Sequence, residues 1–222
     1  MKILPPNLPL YLYRYRSLAG TARRAREIEA LTAPHIWCSD FDHLNDPMEG
    51  FYSPTPALKR AEDYDQIVDD LYDEKINVGI ASFSDTNENE LMWAHYADNY
   101  RGICIEYYPQ RLLDALNNRY YLVRVGYGDS PPRVTTSDAE DRQTAVRKLL
   151  AHKKYNWVYE REWRVLGPLG RAKITPDCIR RVYLGSRIPL QTKRAIRNAC
   201  FDHMIDVYAV TVDGYQHSWH PL

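Results

Sequence analysis

The chain alternates short apolar runs typical of β-strands with longer amphipathic stretches typical of helices, and this order limits the folds that it can adopt. The expected strands span residues 10–16, 35–39, 77–84, 103–107, 120–127, 160–166, 178–184 and 204–212. The intervening helices do not follow the regular spacing of a doubly wound sheet. We therefore expect a single α+β domain over residues 1–222, with its core at about residues 10–212 and a central mixed or antiparallel sheet flanked by helices.

The expected helices are placed by residues that begin or end such elements. Ser17 would cap the first helix, Asn87 would cap the third, and Gly102 would follow the end of the third. The fourth would end in Lys153 and Lys154, whose charge suits a helix carboxyl terminus. The helices span residues 17–31, 56–76, 87–99, 138–155 and 190–202, with loops at 41–50 and 129–137.

Composition narrows the class of protein. The 29 basic and 29 acidic side chains give a formal net charge of zero, which argues against a domain that coats duplex nucleic acid. Tyrosine occurs 18 times, and its flat ring with a polar tip suits a pocket for a polar ligand. This excess favours a polar-ligand pocket or an interface.

The four cysteines are scattered, without a CxxC pair, so a structural zinc site is not expected. They fit a reduced, cytoplasmic protein. The amino terminus lacks an apolar stretch of signal-peptide length, and no run reaches the length of a membrane span. We expect no membrane partner.

Two glutamates lie at one end of the expected strand 160–166. Because side chains alternate between the faces of a strand, Glu160, Glu162 and Arg164 would share one face. Two poorly solvated carboxylates repel each other when both are ionised, and this can raise the pKa of one of them. The pattern fits a proton donor or acceptor beside Trp163, or a solvated strand face on which Arg164 is the counter-ion.

The expected third helix carries an aromatic stripe and a histidine. Trp93, Tyr96 and Tyr100 fall on one side at 100° per residue, where they are most simply core residues. His95 lies on another side, with Asp98 close in sequence. It would be either a catalytic base oriented by a carboxylate or a structural histidine.

The loop Asn45-Asp46-Pro47-Met48-Glu49 is the third candidate. Asn45 and Pro47 suit a turn, which leaves Asp46 and Glu49 able to face a ligand. Together with Glu106 they would offer oxygen ligands for magnesium. A turn without a ligand remains the alternative.

Arg14 and Arg16 alternate with tyrosines on the first expected strand, so the two arginines share a face. A guanidinium that faces a pocket would bind a phosphate or pyrophosphate, whereas a surface ion pair is the simpler explanation. The glycine-rich and Gly-x-Ser-x-Gly motifs of Rossmann, P-loop and serine-hydrolase sites do not occur.

Six motifs, taken in order, resemble a bacterial family, domain-of-unknown-function family 2971. The family pattern is LYKYRS, NDPxE, SFS, LMWxHYAD, a glycine-led strand and YExEWR. The matching segments are Leu12-Tyr-Arg-Tyr-Arg-Ser17, Asn45-Asp-Pro-Met-Glu49, Ser82-Phe-Ser84, Leu91-Met-Trp-Ala-His-Tyr-Ala-Asp98, Gly102-Ile-Cys-Ile-Glu106 and Tyr159-Glu-Arg-Glu-Trp-Arg164. The family name implies no activity.

The chain is also similar to ADP-ribosyltransferases of the Arg / Ser-x-Ser / Glu-x-Glu type. Those enzymes carry an arginine on an early strand, Ser-x-Ser on a central strand and Glu-x-Glu on a later strand. The corresponding positions are Arg14 or Arg16, then Ser82 and Ser84, then Glu160 and Glu162. The resemblance implies an ADP-ribosyltransferase-like fold with NAD, a small-molecule nucleotide, as the partner and substrate.

The resemblance also implies a role for each position. The strand arginine would hold the NAD phosphate or ribose, and a serine would brace the pocket. Glu162 would bond the ribose 2′-hydroxyl and stabilise the oxocarbenium-like state as nicotinamide leaves. Glu160 would orient the acceptor, and Trp93 or Tyr96 would stack on nicotinamide.

Three functions follow from these patterns. The first is an NAD-consuming ADP-ribosyltransferase or NAD glycohydrolase, acting on a protein or nucleic-acid acceptor, as a toxin or phage-defence effector. The second is a metal-dependent hydrolase or nuclease that uses a carboxylate–histidine cluster. Its residues would be Asp46, Glu49, His95, Asp98 and Glu106. The third is a non-catalytic sensor that binds a nucleotide between aromatic rings.

Overall fold

The structure, a computed structural model, describes residues 8–222. Its strands are β1 (Leu12–Arg16), β2 (His35–Cys38), β3 (Ser53–Pro54), β4 (Gly79–Ser84), β5 (Ile103–Tyr107), β6 (Tyr121–Arg124), β7 (Gly126–Gly128), β8 (Arg133–Val134), β9 (His152–Lys154), β10 (Glu162–Gly167), β11 (Gly170–Lys173), β12 (Ile179–Leu184), β13 (Asp206–Asp213) and β14 (Gln216–Pro221). Its α-helices are α1 (Thr21–Thr32), α2 (Tyr64–Ile76), α3 (Glu90–Tyr96), α4 (Pro109–Leu116), α5 (Thr136–Glu140), α6 (Arg142–Leu150) and α7 (Leu190–Phe201). Short 3₁₀ helices occur at Phe41–His43, Leu58–Arg60, Tyr155–Glu160 and Pro176–Cys178.

Eight strands form one sheet in the order β14-β13-β12-β5-β1-β4-β10-β6. Neighbouring strands are antiparallel except for the parallel pair β12 and β13. The expected α+β fold with a mixed sheet flanked by helices is therefore confirmed. Three further two-stranded pairs lie outside the sheet: β2 with β11, β3 with β8, and β7 with β9.

The two faces of the sheet are covered differently. One face packs against α1, α4 and α7 in a continuous apolar core that includes Leu31, Leu112 and Ile196. The other face carries two separate apolar clusters, one around Trp93 and one around α2 and α6. Since the strand side chains between these clusters are polar, the second face has a gap in its apolar covering.

Strand β1 pairs along its whole length with β5 but meets β4 at one position only, Tyr13 opposite Ser84. Beyond this pair the two strands do not continue their ladder. An opening therefore exists within the central sheet, between the carboxyl-terminal half of β1 and the middle of β4.

Helix α3 differs from its expected bounds at both ends. Its cap is Asn89, whose side-chain oxygen accepts from the Leu91 and Met92 amides, and not Asn87. It ends at Tyr96 and not at residue 99, because the three residues from Asp98 to Tyr100 have positive φ angles of 50–66°. Gly102 follows this turn, where an added Cβ would lie 2.2 Å from the Arg16 carbonyl oxygen.

The expected helix 138–155 is interrupted at Asp141 and ends at Leu150. Asp141 caps a new helix by accepting from the Thr144 amide, so α5 and α6 are separate. The chain then forms β9, and Lys153 lies in this strand instead of at a helix end. Local capping thus breaks a stretch whose composition alone suits one continuous helix.

Smaller differences have similar local causes. The first helix begins at Thr21, and Ser17 accepts a hydrogen bond from the Ala19 amide instead of capping it. The expected helix 56–76 is a 3₁₀ turn followed by α2, and the expected strand 120–127 is divided into β6 and β7. The loop 129–137 contains β8, and neither β11 nor β14 was expected.

All four cysteines are free and buried. None of the helices in residues 8–222 combines the length and the apolar character that crossing a bilayer requires.

Candidate functional site

A cleft lies at the opening between β1 and β4, and residues from both faces of the sheet line it. Its volume is about 210 Å³, whereas pockets for drug-sized ligands enclose roughly 300–1,000 Å³. It can therefore enclose part of a dinucleotide. The expected site residues that line it are Arg14, Arg16, Asn45, Ser82, Ser84, Tyr96, Glu160, Glu162 and Arg164.

The cleft wall is built by a chain of hydrogen bonds that starts at the loop before β3. Asn45 Nδ2 donates to Tyr96 Oη at 2.5 Å, and Tyr96 Oη donates to Glu160 Oε1. Lys153 Nζ donates to the other oxygen of Glu160 at 2.6 Å and to Glu162 Oε2 at 3.3 Å. Three elements are thus joined at one carboxyl group.

The chain of hydrogen bonds ends at the loop before β3, where it began. Arg164 donates to both oxygens of Glu162, from Nε at 2.8 Å and from a terminal nitrogen at 3.0 Å. Its terminal nitrogens also donate to Glu49 at 2.6 and 3.1 Å. We call this closed set the ionic ring; its members are Asn45, Tyr96, Glu160, Lys153, Glu162, Arg164 and Glu49.

The two glutamates reach the ring from different elements, which corrects the expectation that they share one strand face. Glu160 is the last residue of the 3₁₀ helix Tyr155–Glu160, and Glu162 is the first residue of β10. Arg161 between them has a left-handed conformation, with φ 47°. Ser84 Oγ donates to the Glu160 carbonyl oxygen at 2.7 Å and fixes this turn against β4.

Opposing pKa shifts distinguish the two carboxyl groups. Burial raises the pKa of Glu160, and although the Lys153 charge lowers it, the neighbouring Glu162 raises it further, so it stays above its ordinary value. Burial would also raise the pKa of Glu162, but Arg164 and Lys153 outweigh it and lower the pKa to about 2. A pair whose pKa values are pushed apart can supply one ionised carboxylate and one group that exchanges a proton.

Arg14 and Arg16 line the cleft from the first face of the sheet, on the opposite side from Ser84 and Glu162, and their charges are compensated differently. Arg16 forms two hydrogen bonds to Glu27, at 2.9 and 2.5 Å. Arg14 donates to the Trp37 carbonyl oxygen at 2.7 Å, and none of the ion pairs in residues 8–222 involves it. Burial, followed by the charge of Arg16, lowers the pKa of Arg14 to about 10.

Arg14 is thus a buried, charged guanidinium without a carboxylate partner; only 9% of the residue is exposed. Isolated buried charges are costly, and most buried arginines pair with an anion. The side of the cleft formed by β1 therefore suits an anionic group of a ligand.

Several expected site residues lie elsewhere. Trp93 is fully buried, stacks on Tyr100 with ring centres 5.3 Å apart, and does not line the cleft, so the expectation that it stacks on nicotinamide is wrong. His95 is exposed and Asp98 is half-buried, and neither lines the cleft. Asp46 accepts a hydrogen bond from the Met48 amide at 2.9 Å and closes the turn before Glu49.

The five residues of the expected metal site are not assembled. Glu49 binds Arg164 in the ionic ring, whereas Glu106 accepts from Tyr13, Arg180 and Tyr183 in a different cluster. Within residues 8–222, no group of three or more His, Cys, Asp or Glu side chains is arranged to hold a metal ion.

Lys153 is the member of the ring that the sequence analysis missed. It was assigned to a helix end because the stretch before it is helical in composition. Asp141 is a helix-capping residue within that stretch and signals that the helix is divided, but no glycine or proline directly after Leu150 signals the end of α6 that places Lys153 in β9.

Residues 92–165 match the model of a family described as Protein of unknown function (DUF2971). This segment belongs to the DUF2971 family. The family expected from the motifs is thus confirmed, over about a third of the chain. No curated protein and no solved structure matches the chain.

The DUF2971 segment contributes most of the ionic ring. It contains Tyr96, Lys153, Glu160, Glu162 and Arg164. The loop residues of the ring and the strands β1 and β4, which form the opposite wall, lie before the segment.

Proposed function

We propose that the protein consumes NAD, as an ADP-ribosyltransferase or an NAD glycohydrolase. One observation carries the proposal. Arg14 on β1, the serines of β4, and Glu162 at the start of β10 come from three neighbouring strands and line one cleft, together with Glu160. The resemblance to ADP-ribosyltransferases rested on the order of these residues along the chain, and all of them border the cleft, with Arg14 on the opposite face of the sheet from the serines and Glu162.

The charge of the cleft fits a phosphorylated ligand. Arg14 contributes an uncompensated positive charge, whereas Arg16 is paired with Glu27. A planar guanidinium binds phosphate oxygens through two donors. We therefore assign the binding of a phosphate of NAD to Arg14, and a bracing role to Arg16.

The carboxyl groups fit cleavage of an N-glycosidic bond. The bond between ribose and nicotinamide breaks with its electron pair moving to the ring nitrogen, so nicotinamide leaves as a neutral molecule. Glu162, held ionised by Arg164 and Lys153, stabilises the positive charge that develops on the ribose. Glu160 takes the proton of the attacking hydroxyl or water, a transfer that contributes roughly 10²–10⁴-fold to rate in enzymes.

The acceptor is part of the proposal. Water as the acceptor gives a glycohydrolase, and a protein or nucleic-acid group gives a transferase. Depletion of NAD or modification of a cell component by this chemistry is the action of a toxin or phage-defence effector, and we include that role.

Release of nicotinamide from NAD by the purified protein, with and without cell lysate as a source of acceptors, tests the proposal. Glu160→Gln is expected to lower kcat by about 10²-fold or more. Arg14→Met is expected to raise KM, because it removes a phosphate contact. Glu106→Gln is the matched control, since Glu106 is equally buried but does not line the cleft.

The proposal is contradicted if the wild-type protein releases no nicotinamide under either condition. It is also contradicted if Glu160→Gln and Glu106→Gln release nicotinamide at the same rate. The melting temperature of each variant separates loss of chemistry from loss of folding.

A non-catalytic nucleotide sensor is the second candidate, and one observation favours it. The Glu162 carboxylate is already bound by Arg164 and Lys153, with a further hydrogen bond from Ser82, so few lone pairs are free for a substrate. A sensor would bind NAD or ADP-ribose in calorimetry without turnover, and Arg14→Met would weaken that binding.

A further inference from the structure

Lys153 is a buried cation placed between the two glutamates of the cleft. Its side chain is 3% exposed, and its ammonium group contacts Glu160 at 2.6 Å and Glu162 at 3.3 Å. The same group lies 4.8 Å from the centre of the Trp157 ring. A lysine at this depth pays a large desolvation cost unless carboxylates compensate it, so its position depends on both glutamates.

We propose that Lys153 is the positioning residue of the cleft, which holds Glu160 in the orientation and charge state in which it accepts a proton from the acceptor. This inference rests on the proposed function. Lys153 touches neither substrate nor acceptor in this role and acts through Glu160.

The geometry supports this role because each oxygen of Glu160 has a fixed donor. Tyr96 donates to Oε1 and Lys153 donates to Oε2. A carboxylate has about four lone-pair sites, so two stay available to an incoming hydroxyl or water. With two donors on different elements, the carboxyl plane cannot rotate away from the cleft without losing a charged contact.

The proton transfer balances. The acceptor O–H bond breaks as its oxygen bonds to the ribose carbon, and the proton passes to Glu160. The electron pair of the glycosidic bond leaves on nicotinamide. Glu160 then returns the proton to water, while Lys153 keeps its own proton throughout, because Glu162 and Glu160 raise the pKa of its ammonium group against the effect of burial.

Removal of the Lys153 charge is expected to raise the pKa of Glu160. The groups that face Glu160 are Lys153 from β9, Glu162 from β10, Tyr96 from α3 and the neighbouring Tyr159. Lys153 is the cation among them that lowers the pKa of Glu160, whereas burial and Glu162 raise it. Without Lys153, Glu160 holds its proton up to a higher pH.

The experiment measures the pH profile of nicotinamide release for the wild type, Lys153→Met and Lys153→Arg. Lys153→Met is expected to move the acidic limb of kcat to higher pH by about one unit or more, the shift that a nearby opposite charge produces. Lys153→Arg retains the charge and is expected to keep the wild-type acidic limb at a lower kcat. Lys148→Met, which removes a lysine that pairs with Asp138 in α5, is the matched control and is expected to leave the profile unchanged.

A second readout does not depend on turnover. Infrared titration with isotope-labelled glutamate, with Glu160→Gln to identify the band, follows the protonation of Glu160 itself. Its midpoint is expected to rise in Lys153→Met and to stay near the wild-type value in Lys153→Arg. If Lys153→Met does not fold, the role of Lys153 is tested by comparing Lys153→Arg with the wild type in both the pH profile and the infrared titration.

The outcomes separate the two proposals. A lower kcat in Lys153→Met without a shifted limb, or an unchanged Glu160 midpoint, overturns the role of Lys153 and leaves NAD consumption standing. For Lys153→Arg, any of three results also overturns the role of Lys153: a kcat equal to that of the wild type, a displaced acidic limb, or a displaced titration midpoint of Glu160. Absence of nicotinamide release by the wild type overturns the proposed function, and the Glu160 midpoint then decides whether Lys153 controls that carboxyl group.

Discussion

Two buried ionic clusters lie in one row across the sheet. Glu106, Tyr13, Ser84 and Glu162 are consecutive register partners on β5, β1, β4 and β10. Around Glu106, one carboxylate accepts from Tyr13, Arg180 and Tyr183. At the other end of the row, the ionic ring combines three carboxylates with the two cations Lys153 and Arg164.

The difference between the clusters lies in how a change at one member affects the rest. Glu106 accepts from Tyr13, Arg180 and Tyr183, and none of these hydrogen bonds is shared with another carboxylate in residues 8–222. In the ring, Glu160 and Glu162 share Lys153, and Glu162 and Glu49 share Arg164, so each proton or substrate changes the electrostatic environment of several groups. Because its cations are shared between carboxylates, the ring is suited to chemistry. The Glu106 cluster, whose donors serve one carboxylate, is suited to stability.

The largest expected effect is that of Arg164→Met. It leaves Glu49 and Glu162 buried without their main cation, which costs about 3–5 kcal/mol and lowers Tm by about 6–20 °C. Arg180→Met removes the nearer of two cations beside Glu106, but that side chain is 22% exposed, and Arg181 and two tyrosines stay in place, so a smaller loss is expected. Thermal unfolding measures both, and equal losses would remove the distinction between the clusters.

A second effect concerns pH. The folded-state pKa of Glu162 lies near 2, below its ordinary value of 4.5, so its contribution to stability is present above pH 4.5 and is lost as pH falls toward 2. The loss amounts to about 3 kcal/mol, and Glu162→Gln is expected to flatten the stability curve in that window.

Glu160→Gln is the matched control for that experiment. The pKa of Glu160 is raised, so its contribution to stability is present below pH 4.5 and is lost as pH rises toward its folded-state pKa. The variant should retain the fall in stability below pH 4.5 and abolish the opposite trend above it. Denaturant unfolding across pH gives both slopes, and identical curves for the two variants would disprove the separation of the two carboxyl groups.

Tyr96→Phe tests whether the ring is linked through hydroxyl groups as well as charges. It removes the contact with Asn45 and the donor to Glu160, at a cost of about 1–2 kcal/mol. Since that donor lowers the pKa of Glu160, the variant is expected to shift the acidic limb of nicotinamide release to higher pH. Tyr183→Phe, which removes a donor to Glu106, should cost similar stability and leave the pH profile unchanged.

The smallest expected effect is that of His95→Ala. His95 is exposed and lies outside both clusters, so we expect a change in stability within about 0.5 kcal/mol and nicotinamide release within about twofold of the wild type. A loss of release greater than tenfold would show that the site extends to the exposed side of α3 and that the comparison of the two clusters omits a catalytic group.

Much of the architecture was predictable because it follows from local periodicity. Strands such as β4 and β5 are continuous apolar runs, and α7 has a clear amphipathic pattern, so their positions were expected within a few residues. The errors occurred where local structure overrides composition, at the expected long helix, which is divided at Asp141 and ends at Leu150, and at the left-handed turn after α3. Lys153 was lost with the first of these errors.

The sequence alone determined the α+β class and the segments Asn45–Glu49, Leu91–Asp98 and Tyr159–Arg164, which carry every member of the ring except Lys153. The tertiary structure decided which of these side chains meet. It buried Trp93 in an aromatic cluster, exposed His95, and placed Lys153 between Glu160 and Glu162. Residue spacing sets which side chains share a face of one element. Contacts between residues far apart in sequence depend instead on the order of strands in the sheet and on the turns that orient each side chain. They also depend on the limited pairing of β1 with β4, which meet at a single register position and leave the opening between them.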